Sequence, residues 1–153
     1  MYIKILLFLH VMGAIAGFGP TFALAVVGAK ANGSGPDVGK AMLEVAHTIE
    51  KIFILPVALF LQPVTGVLLI FALGLQENMP MWLTAGIGFY LVATVLSLVV
   101  QRTSLNKMLA IADGKAGSPA DLPALGKKMK ITGQILTVLL LIIVFFMVAK
   151  PRL

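Results

Sequence analysis

Four long apolar runs limit what this chain can fold into. They cover about residues 3–27, 52–75, 81–100 and 131–149. Each is long enough to cross the hydrocarbon core of a bilayer, which takes roughly 20 residues of helix. No water is present there to bond backbone N–H and C=O groups, so spans that are not strands of a closed barrel must be helical. The expected fold is all-α: a polytopic membrane protein with a four-transmembrane-helix bundle, one domain occupying residues 1–153.

Charge supports this reading. Only 12% of the residues are charged, against about a quarter in soluble domains, and they sit mostly between the runs. The net charge of +6 is not a nucleic-acid signal, because the basic residues flank spans, where orientation and anionic lipid account for them. The absence of cysteine excludes disulfides, thiolate metal sites, iron–sulfur ligation and covalent haem attachment. The first run reads as a retained span rather than a cleaved signal. It is longer than an h-region, it has no charge before it beyond Lys4, and no small-x-small site ends it.

The punctuation predicts the helix ends. Pro20 should kink or break helix 1. Residues 28–36 read as a flexible loop and Asp37 as the cap of helix 2. Helix 2 begins amphipathic: Met42, Val45, Ala46 and Ile49 fall on one side, Lys40, Glu44, His47 and Lys51 on another. Pro56 and Pro63 should bend it. Residues 74–79 form a turn in which Asn78 caps and Pro80 opens helix 3, which continues to about residue 112. Ser118-Pro119-Ala120-Asp121 reads as a capping box that starts helix 4.

Nine of the twelve Lys and Arg residues fall on the side of the first and third loops, and Lys4, Lys150 and Arg152 on the other. That asymmetry puts the two loops in the cytoplasm and both termini outside. Helices 2, 3 and 4 then extend past the cytoplasmic surface as a stub, pairing Met42, Ile49, Leu105, Met108, Leu122 and Leu125.

His10 is an ionisable side chain set within a span, roughly 10 Å inside the end of helix 1 by helical rise. Gly13, Gly17 and Leu24 share its face, flanked by Ala14 and Thr21. An imidazole in hydrocarbon needs a partner, so it should face the bundle interior. The glycines have two readings. One is close helix packing, with His10 bonded to a neighbour such as Tyr90 or to a backbone carbonyl. The other is room for haem b ligated by His10. Gln62, near the midplane of helix 2, and Tyr90, at the depth of His10, complete the candidate cofactor-binding set of His10, Gly13, Gly17, Gln62 and Tyr90.

His47 lies about 25 Å from the depth of His10, too far to ligate one haem with it. Glu44-Val-Ala-His47 has the Glu-x-x-His spacing of carboxylate-bridged metal sites but lacks the second copy they need. It reads as a solvated face with Glu44, Glu50 and Lys51. Met79 and Met81 offer thioethers of the kind that hold Cu(I), with Met12 and Met147 as neighbours; the other reading is methionines at a lipid interface. No Asp, Glu, Lys or Arg lies deep in a span, and no nucleophile–base pair, phosphate loop or dinucleotide fingerprint occurs. No catalytic residue is assigned.

Phe8-Leu9-His10-Val11-Met12-Gly13-Ala14, with Ile54-Leu55-Pro56 and Thr65-Gly66-Val67 in helix 2, resembles a group of small bacterial four-helix membrane proteins. The group includes CopD-type copper-resistance proteins and HemJ-type protoporphyrinogen oxidases, and the nearest likeness is to an uncharacterised family of predicted integral membrane proteins within it. The resemblance implies a multi-pass protein of the bacterial inner (plasma) membrane, with His10 at the position of the HemJ-type haem ligand. Those proteins also carry a lysine early in helix 3. Here that stretch is Trp82-Leu83-Thr84-Ala85-Gly86, without one, a departure that argues against the oxidase activity. The expected function is a helix-bundle protein of the lipid bilayer, an accessory subunit without catalysis of its own, partnered by other membrane subunits or by itself. The alternatives are a b-type haem redox protein using His10 and, more remotely, copper handling.

Overall fold

A computed structural model describes residues 1–31 and 34–151, with the side chains of residue 22 and residues 25–31 outside the description. The described residues form four long helices: α1 (Tyr2–Ala31), α2 (Pro36–Ala72), α3 (Met81–Ala112) and α4 (Leu122–Ala149). All four are long and apolar enough to cross a membrane. Their outward residues are large and apolar, with Phe60, Phe71, Phe145 and Val148 all exposed. That is the surface a bilayer solvates and water does not.

α1 packs along α2 and also touches α4. α3 and α4 form a second helix pair as extensive as that of α1 and α2. Phe89 stacks on Phe146 with centroids 5.9 Å apart, and the Met147 Cε sits 2.6 Å from where a Cβ on Gly86 would be. α2 and α3 meet through their loop-side ends, where α3 also packs on α4. Leu105 and Met108 are buried in that three-helix stub.

The helix ends depart from the sequence expectations in several places. α1 remains helical through Pro20 and on to Ala31, so the loop is shorter than expected; its Asn32 and Gly33 lie outside the described residues. Asp37 does not cap α2. Gly35 takes that place and Pro36 opens the helix, because its fixed φ suits the first turn. Pro80 likewise replaces Asn78 as the cap of α3. α2 and α3 both end in a Schellman turn on a left-handed glycine. Gly74 has φ +67° and Gly114 has φ +68°, and the Leu75 and Lys115 N–H groups bond back to the Ile70 and Ala110 carbonyls at 3.0 and 2.9 Å. The capping box is present: Ala120 N–H donates to Ser118 Oγ and Ser118 N–H to Asp121, each at 3.3 Å.

The prolines of α2 act through wide turns. Residues Glu50–Ile54 and Val57–Leu61 are π-helical. Pro56 lies between them, and Pro63 follows the second by two residues. A proline withholds one N–H and crowds the carbonyl four residues back, and a wider turn relieves both. A third π segment, Ser97–Arg102 in α3, contains no proline.

Candidate functional site

The polar contact between α1 and α2 is built on His10. Two residues of α2 flank its ring: Thr65 Oγ1 lies 2.9 Å from Nδ1 and Gln62 Nε2 lies 3.2 Å from Nε2. The hydroxyl of Thr65 donates to the Leu61 carbonyl at 2.6 Å, so its oxygen accepts from His10. The directions then follow in one chain: Gln62 N–H to His10 Nε2, His10 Nδ1–H to Thr65, and Thr65 O–H to Leu61. This assigns a neutral imidazole with its proton on Nδ1. Thr65 is only 4% exposed and Gln62 is also buried.

Three glycines make the approach feasible. A Cβ on Gly66 would stand 3.3 Å from His10 Cε1, so the bare backbone of α2 makes room for that edge of the ring. A Cβ on Gly13 would fall 2.8 Å from Gln62 Oε1 and one on Gly17 would fall 2.5 Å from a Val57 methyl. The glycine strip of α1 is thus where α2 comes closest, the small-residue packing typical of membrane helices. Gln62, Thr65 and Gly66 are spaced i, i+3, i+4 and so share a face. That spacing is a sequence signal for Thr65 and Gly66 as the facing partners, which reading single polar residues did not use.

Tyr90 does not join this group. Its hydroxyl donates to the Ala58 carbonyl, and its ring meets Phe18 edge-on at 6.5 Å. Tyr90 ties α3 to α2 at the carbonyl that the missing N–H of Pro63 leaves open in the π register. A haem on His10 would need Nε2, where Gln62 sits, and the glycine strip, which Gln62, Leu61 and Val57 fill. The residues present do not fit that group in this packing.

Met79 and Met81 are exposed at the turn into α3. Met147 is engaged against Gly86 and Met12 is exposed on α1. Among the described residues, no group of three or more His, Cys, Asp or Glu is placed to hold a metal ion.

The far end of α2 corrects the sequence reading. Glu50 does not belong to a solvated face; it is 6% exposed. It lies four residues beyond the buried Ala46 and continues its stripe, so helical position overrides the polarity of the residue. His47 Nδ1 stands 4.0 Å from its carboxylate, and Arg102 of α3 acts on it electrostatically without closing an ion pair. The Gln101 Oε1 and His47 Nδ1 atoms are buried there without a hydrogen-bond partner. Farther along the stub, Asp113 binds Lys40 at 2.6 Å and Lys115 at 2.8 Å. These two hydrogen-bonded ammonium groups hold its carboxyl at about 2, below its ordinary 3.8.

No curated protein and no solved structure matches the chain. The family model that does match covers residues 4–151, nearly the whole chain. The chain belongs to the family described as predicted integral membrane protein (DUF2269).

Proposed function

We propose that this protein is a structural or accessory subunit, a helix bundle without catalysis of its own, which works in the bilayer by packing against other membrane subunits or further copies of itself. One observation carries the reading. His10, the histidine that lies inside a span, commits both ring nitrogens and its Cε1 edge to the α1–α2 contact. A histidine held in this way is a fastener between helices, and the glycines beside it serve close approach. The nine-to-three split of basic residues supports loops in the cytoplasm and termini outside, in a bacterial inner membrane.

The decisive experiment is an absorption spectrum with metal analysis on gently purified protein, run beside His10→Ala. The expected result is no Soret band, no stoichiometric copper and a less stable variant. A Soret band abolished by His10→Ala overturns the proposal in favour of a b-type haem protein. Copper lost on replacing Met79 and Met81 overturns it in favour of metal handling. Orientation is read by placing one cysteine at Lys115 or Met1 in this cysteine-free chain and labelling intact cells with an impermeant maleimide; labelling at Lys115 alone would reverse the topology.

A further inference from the structure

The geometry points to a binding site for the headgroup of an anionic phospholipid on α4, formed by Lys127, Lys128 and Thr132. The apolar part of α4, residues 131–149, is about 27 Å long by helical rise and matches the hydrocarbon core. Ile131 and Thr132 therefore lie at the edge of the hydrocarbon. Lys127 and Lys128, one turn earlier, reach the level of lipid phosphates.

A shallow cleft at this level is lined by Ala124, Lys127, Lys128, Ile131 and Thr132. Both lysines are exposed, and neither makes an ion pair among the described residues. Their charge is available to a ligand.

Thr132 is the independent observation. It is 7% exposed, it lines the cleft, and its hydroxyl makes no hydrogen bond among the described residues. Four other helical threonines behave differently, and Thr84 and Thr103, which also lack the bond, are exposed. Thr48, Thr65, Thr94 and Thr137 each donate to the carbonyl four residues back. The Thr132 hydroxyl is not itself sealed off; in a residue that is otherwise buried and lines the cleft, it is open to an acceptor there. A phosphate oxygen is such an acceptor, and two ammonium groups beside it supply charge-assisted bonds. Below the lysines, Ile131, Ile135 and Val138 form an exposed apolar stripe down the same helix. An acyl chain covers such a stripe and free phosphate does not, so the occupant is a lipid of the leaflet at this end.

The test is native mass spectrometry of the full chain in detergent, titrated with phosphatidylglycerol, phosphatidylcholine or inorganic phosphate. Phosphatidylglycerol is expected to bind at least about tenfold more tightly than phosphatidylcholine, with inorganic phosphate failing to displace it. Lys127→Gln and Lys128→Gln should each weaken phosphatidylglycerol about fivefold. Thr132→Val should weaken it a few-fold, and Thr132→Ser should restore it while circular dichroism reports the fold. Lys150→Gln, at the opposite end of α4, should leave binding unchanged. Equal affinity for the two lipids, displacement by inorganic phosphate, or full binding by folded Thr132→Val would overturn the assignment. None of these outcomes depends on whether the protein carries haem or copper.

Discussion

The two ends of α2 both bury polar side chains against a neighbouring helix, and they do it differently. At the His10 end both ring nitrogens have partners, and the donors and acceptors run in one direction from Gln62 to the Leu61 carbonyl, with one buried acceptor, Gln62 Oε1, left open. At the Glu50 end a carboxylate is buried with a histidine only at 4.0 Å, and buried atoms of His47 and Gln101 have no partner. The first arrangement fits a site in hydrocarbon, where an unmet polar group is costly. The second sits where the helices leave the apolar run and water and headgroups are within reach. The two places differ in whether the ionisable group itself is hydrogen-bonded, and each leaves a buried amide oxygen open.

This contrast is sharpened or broken by substitution, the largest effect coming from backbone approach. Gly17→Val should destabilise the bundle by about 3 kcal/mol, because even its Cβ would sit 2.5 Å from a Val57 methyl. Gly19→Ala, with nothing within 4 Å of the added carbon, should change little. Thermal unfolding in detergent followed by circular dichroism measures both, and equal losses would break the close-packing account.

The next effect is at the imidazole. His10→Ala should cost about 2 kcal/mol by leaving the Gln62 and Thr65 polar groups buried without their partner. A double-mutant cycle with Gln62→Leu should give a favourable coupling of about 0.6 kcal/mol or more. Zero coupling would remove Gln62 from the network.

The opposite sign is expected at the other end. Glu50→Gln should stabilise the protein by about 1 kcal/mol, since it removes a buried carboxylate that no hydrogen bond reaches. A loss of the same size would show that attraction from Arg102 outweighs burial, and the contrast between the ends would fall.

The smallest effect is at Asp113. Its carboxyl is held at about 2 in the fold against 3.8 ordinarily. The stabilisation is therefore full above 3.8 and disappears as pH falls through about 2. Asp113→Asn should flatten the pH dependence of unfolding across that window. A wild-type profile already flat there would mean that Lys40 and Lys115 do not hold the carboxylate in solution.

Much of this was legible in residues. Four apolar runs predict four helices because lipid leaves the backbone no other solution. Ser118 and Asp121 predict their capping box because the bonds are local. Where two residues competed for one role the outcome was not legible: Pro36 displaced Asp37 because a proline is already set for the first turn. Glu50 was misread because its charge was weighed and its position four residues after Ala46 was not. Tyr90 was proposed for His10 on depth alone, and depth does not fix which side of a helix faces which neighbour.

The sequence by itself determined that the chain crosses a membrane as helices, and it singled out His10 and the glycines beside it. Only the tertiary structure decided that His10 meets Thr65 and Gln62 rather than Tyr90, and that the glycines receive α2. The reason is rotation. Two π turns in α2 reset which of its residues face α1, and such turns arise from how prolines are accommodated between packed helices rather than from the period of the hydrophobic pattern.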